Sequence, residues 1–211
     1  PMCAGAVVWS RMKQVAYGVG ISDAIAQGRS RIDLSCEEVL SRSRAKIGVV
    51  KGVLRSRCAV LYDRNVRDEI KKLGAASDST LLQYNAALTE KRLEWLSTTR
   101  TTEGTDPLET AYELLLSKLN IEPAEARVVR RDDHQLVFHS TNFCSTLEAC
   151  RILQLDTRRV CKLYNEGATQ ALLRRVDPRL SFTRNYQKLR PHADYCEEMI
   201  LLDQERERPG T

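Results

Sequence analysis

The chain has 211 residues, of which 42% are apolar and 29% charged, and its 33 basic and 28 acidic side chains give a formal net charge of +5. That is the composition of a soluble globular protein with room for one large or two small domains, and no apolar run is long enough to cross a bilayer. The seven cysteines, at 3, 36, 58, 144, 150, 161 and 196, form an odd set without the spacing of a small secreted disulfide scaffold, so reduced thiols are expected. With no basic-then-apolar leader ahead of the first motif, a cytoplasmic location is expected. The two signs of charge are interspersed, which permits RNA binding without requiring it.

Residues 1–11 read as a helix with Cys3 at its start, Ala4, Gly5 and Ala6 leaving room beside it, and Val7 and Val8 inside. Residues 13–20 read as a short strand, because Val15, Tyr17 and Val19 alternate and Gly18 and Gly20 mark its end. Those glycines lack the following helix and the spacing of a phosphate loop. Residues 21–31 read as a polar loop. Ser35 then caps a short helix, with Glu38 three residues on as in a capping box. Residues 47–54 predict a second buried strand, parallel to the first. An amphipathic helix over 56–73 follows, with Cys58, Leu61, Tyr62, Val66, Ile70 and Leu73 on its apolar side.

Residues 78–98 read as one long helix, since Leu81, Leu88 and Trp95 recur every seventh residue. It either docks within the chain or pairs with a partner helix. Residues 98–105, polar and containing Gly104, read as a linker. Asp106-Pro107-Leu108-Glu109 opens a helix to Asn120, with an N-cap, a Pro in the first turn and a Glu three residues after the cap. A hairpin is expected over 127–140 around Arg131-Asp132-Asp133, helices over 145–153 and 157–176, strands over 180–186 and 195–202, and a frayed tail from 205.

Pro1-Met2-Cys3-Ala4-Gly5-Ala6 resembles the end of the Pro-Cys-Pro-Met-Cys-Ala-Gly-Ala signature of the cytidine deaminase-like zinc hydrolases, in the branch of tRNA adenosine deaminases and guanine deaminases. The resemblance continues through Trp9-Ser10-Arg11, Val15-Ala16-Tyr17-Gly18, Ile32-Asp33-Leu34, Glu37-Glu38-Val39, Val50-Lys51-Gly52-Val53-Leu54 and Arg57-Cys58-Ala59-Val60-Leu61-Tyr62, about the first third of the chain. It implies an α/β fold: the C-terminal half of a three-layer α/β/α deaminase sandwich over 1–76, a linker helix and linker over 77–104, and a small accessory α+β domain over 105–211. In that family one His and two Cys hold a zinc ion, and a Glu shuttles the proton. Cys3 corresponds to one zinc ligand. The first Cys and the His-x-Glu motif, and so every catalytic residue, are expected ahead of Pro1, and none of His134, His139 and His192 has a Glu two residues on. A fragment without its catalytic residues is expected to be inactive by itself.

The resemblance thus implies a zinc-dependent deaminase acting on a purine, a pyrimidine or tRNA, and a homodimer by analogy with the family. The segment 22–33 is longer and more polar than the Gly-Ala-rich loop of the tRNA-editing enzymes, which leaves open a free base or nucleoside such as guanine. Trp9 is a candidate for lining a base pocket, with a place in the core as the alternative. Arg42, Arg44, Lys46, Lys51, Arg55 and Arg57 are either phosphate contacts or a solvated face, and the acidic Glu37, Glu38 and Asp63 among them favour the latter.

In the second part Cys144, Cys150, Cys161 and Cys196 match no zinc ribbon or finger by spacing; they could still converge in space on a metal, an iron–sulfur cluster or a ligand, while apolar neighbours such as Leu147, Ile152 and Leu153 favour buried core cysteines. The layout loosely resembles Cys-dotted small-molecule-binding domains of the four-vinyl-reductase and aminothiazoline-carboxylate-hydrolase-like type. On that analogy Arg184-Asn185-Tyr186 and Arg190-Pro191-His192 are candidate anion contacts. The competing reading is a non-catalytic ligand-sensing or interaction protein built on a deaminase-derived scaffold.

Overall fold

The structure is a computed structural model that describes residues 2–28, 31–99 and 106–203. It is mixed α/β, and the chain divides into two compact units, Pro1–Glu69 and Ile70–Thr211. Among the described residues no helix is long and apolar enough to cross a membrane.

In the first unit α1 (Met2–Trp9) leads into β1 (Gln14–Tyr17), and after α2 (Ile21–Ala26) and α3 (Cys36–Ser41) the chain enters β2 (Gly48–Lys51). The two strands pair in parallel, from Gln14 opposite Gly48 to Tyr17 opposite Lys51. α1 packs on α3, whose N-cap is Ser35, with its Oγ accepting from the Glu38 N–H at 3.1 Å. Residues 21–31 are not simply a loop: α2 forms because the Asp23 carboxylate accepts the Gly20 N–H at 3.1 Å and so satisfies a donor at the helix start. The expected helix over 56–73 is two, α4 (Arg55–Val60) and α5 (Arg64–Leu73). Asp63 causes the break, its Oδ1 capping the Val66 N–H at 3.0 Å.

This unit is thinly buried. β2 is mostly exposed rather than a buried strand, and of α1 only Ala4 is buried while Val7 and Val8 are half-covered. β1 and β2 pair only with each other among the described residues, so each leaves one edge open.

The second unit carries an antiparallel sheet in the order β3–β4–β6–β5, made of β3 (Ala126–Arg131), β4 (Gln135–Ser140), β5 (Leu180–Arg184) and β6 (Cys196–Leu202). The expected hairpin is β3–β4, with a bulge between Val128 and Arg130. One face is covered by α7 (Pro107–Leu119) and α10 (Gly167–Val176), which bury Leu108, Leu115, Leu172 and Leu173 against Leu136, Phe138 and Ile200. Tyr112 meets Phe138 edge-on, with ring centroids 5.3 Å apart. The N-cap of α7 is Asp106, whose Oδ1 accepts from Leu108 N at 2.9 Å, and Asn120 ends it in the left-handed region at φ 52°.

α6 (Asp78–Thr98) has the expected bounds and packs on α10 inside this unit, so it is a core helix there rather than a linker helix. Leu81 lies in a second, smaller cluster with Leu73, Cys150, Val160 and Tyr164. α8 (Ser145–Leu153) is followed by α9 (Thr157–Val160), which runs into a π-helical stretch, Cys161–Glu166, before α10. The π stretch was not expected. It coincides with Asn85 of α6, whose Nδ2 donates to the Tyr164 carbonyl at 2.9 Å and so satisfies a backbone acceptor from outside the helix. Most of the expected linker and all of the expected tail lie outside the described residues.

Candidate functional site

The first unit holds a cavity of about 800 Å³ whose walls come from the start of α1, the segments following β1 and β2, and the start of α3. These are the carboxyl ends of two parallel strands, where α/β folds place their ligands. Cys3 and Ala4 line it from α1, Gly20 and Asp23 follow β1, Gly52 and Arg55 follow β2, and Cys36 and Glu37 open α3.

Gly18 explains how the walls come so close. A Cβ there would lie 2.7 Å from the Val53 carbonyl oxygen and overlap Cys58, so only glycine lets β1 end against the segment after β2. Its role is therefore steric, as is consistent with the reading that Gly18 and Gly20 are not a phosphate loop. A helix does follow Gly20, contrary to expectation, but the Asp23 carboxylate already occupies its N-terminus.

The polar groups of the cavity are tied to one another. Tyr17 donates to Glu37 Oε1 at 2.6 Å, and Lys51 Nζ reaches the same oxygen at 2.9 Å. These two contacts pull the Glu37 carboxyl down to about 2, and the carboxylate in turn pushes the Tyr17 phenol up to about 12. Arg55 pairs with Asp23 and, with the Gly20 N–H, lowers its carboxyl. Cys36 is held above the usual thiol value by burial and by Glu37, and Cys3 is near enough to add to this. Cys3 and Cys36 thus share one neighbourhood, a convergence 33 residues of sequence do not announce.

Of the basic residues weighed as phosphate contacts, Arg42 pairs with Glu38, Lys51 with Glu37 and Arg55 with Asp23, as a mixed-sign surface predicts. Trp9 is neither pocket nor core: it is 89% exposed and lies outside the cavity, because α1 turns that face away from both α3 and the strands.

In the second unit the four cysteines do draw together. Cys161 is close enough to Cys144, Cys150 and Cys196 for each to influence its ionisation, and burial pushes it up to about 12. They are nevertheless engaged separately. Cys144 Sγ accepts from Leu147 N at 3.4 Å as the N-cap of α8, Cys150 is buried in the smaller cluster, and Cys196 Sγ accepts from Arg190 Nε at 3.4 Å. Among the described residues no three His, Cys, Asp or Glu side chains converge to hold a metal ion.

The candidate anion contacts are mostly committed to the protein. Asn185 holds Glu197 at 2.8 Å, Tyr186 holds Glu166 at 2.5 Å, and Arg190 Nη1 donates to the Thr141 and Asn142 carbonyls at 3.0 Å each. Arg184 differs. Its Nε donates to Glu198 at 2.8 Å, while its Nη1 is buried without a hydrogen-bond partner.

No protein-family model, curated protein or solved structure matches the chain. Function therefore rests on the residues and their geometry.

Proposed function

We propose that the first unit is the Cys-bearing part of a zinc-dependent hydrolytic deaminase that exchanges the ring amine of a nucleobase or nucleoside for oxygen, consuming water and releasing ammonia. The observation that carries this reading is Cys3, in the first turn of α1, lining an 800 Å³ cavity at the carboxyl ends of the parallel β1–β2 pair. The sequence resemblance calls for a helix, a strand, and a parallel strand in that order with the thiol beside the cleft.

The thin burial of the unit supports the same reading. The two parallel strands leave open edges among the described residues, and exposed Met2, Trp9, Ile32 and Leu54 offer apolar surface that further layers of a sandwich would cover. Zinc in such a site needs three protein ligands and an open position. The described residues do not make that set by themselves: Cys3 supplies one ligand, and the motif it resembles assigns the others, with the proton-shuttling Glu, to positions ahead of Pro1. α2 and its Asp23–Arg55 pair flank the cavity where the tRNA-editing enzymes carry a short loop, which favours a free base or nucleoside over tRNA.

The test is ammonia release from guanine, adenosine, cytidine and tRNA by the whole natural polypeptide. Turnover of one of these that Cys3→Ala abolishes supports the reading. Turnover unaffected by Cys3→Ala, or none on any of the four, removes it.

A further inference from the structure

The net charge of the chain is not shared between its units. Residues 1–69 hold 12 basic and 7 acidic side chains, so the whole surplus of +5 belongs to the first unit, and the second, with 21 of each sign, is neutral. Within the first unit the charge is uneven as well. At the carboxyl ends of β1 and β2 the cations are matched, Lys51 by Glu37 and Arg55 by Asp23.

The amino ends of the same strands differ. Gln14 stands opposite Gly48 there, and the Gly48 N–H donates to the Lys13 carbonyl at 2.9 Å, so the segments that lead into the two strands meet. These segments carry Arg11, Lys13, Arg44 and Lys46, all exposed. Among the described residues none of the four has a carboxylate within ion-pair distance, and Glu38, the acidic residue that precedes Arg44 in the chain, is taken by Arg42. Arg11 holds the turn between α1 and β1 at φ 54°, where glycine is the unstrained residue, so a charged side chain is kept there at a cost in backbone strain. Each strand is four residues long, which puts this rim about 13 Å from the cavity at the other end. That exceeds the screening length of about 8 Å at physiological salt, so the four cations do little for groups in the cavity. Like charges gathered without a protein counterion favour a polyanion, which releases small ions when it binds.

We propose that the amino-end rim of the β1–β2 pair is a docking surface for single-stranded nucleic acid, held through its phosphates by Arg11, Lys13, Arg44 and Lys46. Phosphate contacts carry no base information, so the binding is independent of sequence. Met12, 52% exposed between two of the cations, offers an apolar contact to an unstacked base. One such side chain beside four cations suits a strand of phosphates better than a lipid surface, which binds through inserted apolar area as well as charge. The strand is held at the far end of the unit from Cys3 and is not the substrate of the cavity, so the inference does not depend on the deaminase reading.

The experiment is fluorescence anisotropy of a labelled oligothymidylate titrated with the full chain at a series of sodium chloride concentrations. Four phosphate contacts predict saturable binding whose log affinity falls against log salt with a slope of about −3. Lys13→Gln with Lys46→Gln should halve that slope and weaken binding at about 0.1 M salt by about 25-fold. Arg11→Gln with Arg44→Gln should do the same and gives an independent readout should either pair fold poorly. Arg174→Gln with Arg175→Gln removes the same charge from exposed positions at the end of α10 and should change the affinity by less than about twofold. No saturable binding, a slope unchanged in both rim pairs, or an equal loss in the α10 pair overturns the proposal. Retention on phosphatidylserine vesicles without binding to the oligonucleotide overturns it too.

Discussion

Replacing Glu198 by Gln keeps the shape of the side chain and removes the charge that balances Arg184. Both partners are about nine-tenths buried, the hydrogen bond between them is 2.8 Å long, and the variant would leave Arg184, whose charge Arg92 also feels, buried without its ion-pair partner. Losing one partner of a buried ion pair costs about 3–5 kcal/mol, most of it from the charge left behind. With a urea slope of about 2 kcal/mol/M, the unfolding midpoint falls by about 1.5–2.5 M. Tryptophan fluorescence is a suitable probe. Of the two tryptophans, Trp9 is 89% exposed and changes little on unfolding, whereas Trp95 packs on the main core of the second unit and reports its melting. Adding Arg184→Met to Glu198→Gln removes the stranded charge and should restore the stability to within about 1 kcal/mol of that of the starting protein, about 0.5 M in the midpoint. A drop under about 0.5 M in the single variant, or a double variant no more stable than the single, would refute the argument that charge balance holds this interior together.

Acid should loosen the same unit through Glu197, whose carboxyl lies at about 2 against an ordinary value of 4.5 because Asn185, His139 and Lys188 hydrogen-bond to it. The depressed value stabilises the fold above pH 4.5, and this contribution, at most about 3 kcal/mol, fades as pH falls from 4.5 toward 2. Glu197→Gln should therefore flatten the stability profile over that range in urea titrations, and parallel profiles for the two proteins would contradict the assignment. In the first unit, Gly18→Ala forces a Cβ to within 2.7 Å of the Val53 carbonyl oxygen. A cost of about 1–3 kcal/mol should speed amide exchange across β1 and β2 by about 10–100-fold, and unchanged exchange would mean the strand end has room to spare.

What the sequence disclosed was local. Asp106 announces α7 because a side-chain oxygen before an apolar periodic run has one use, the seven-residue recurrence of Leu81, Leu88 and Trp95 announces α6, and the β3–β4 hairpin follows from apolar residues flanking a charged turn. The missed elements depend on a single competing contact. Asp23 makes a helix of a stretch that reads as loop, and Asp63 cuts a helix whose apolar periodicity runs straight through the break. The π stretch needs Asn85, 79 residues from Tyr164, and no periodicity carries that information.

The candidate sites divide in the same way. The motif singles out Cys3, which lines the cavity, but the nearness of Cys36 and the Tyr17–Glu37–Lys51 network follow from the parallel pairing of strands far apart in sequence. Trp9 failed as a pocket residue because aromatic character says nothing about which way an exposed helix face turns. Arg92 and Arg184 look like surface residues in a sequence with 33 basic side chains, and only burial sets them apart.

The measurement closest to the central claim is zinc content per chain of the whole natural polypeptide, by atomic emission, with and without Cys3→Ala. The account predicts about one zinc per chain, lost in the variant, as a site with three protein ligands requires. Zinc absent from the unmodified protein, or retained in full after Cys3→Ala, would contradict it.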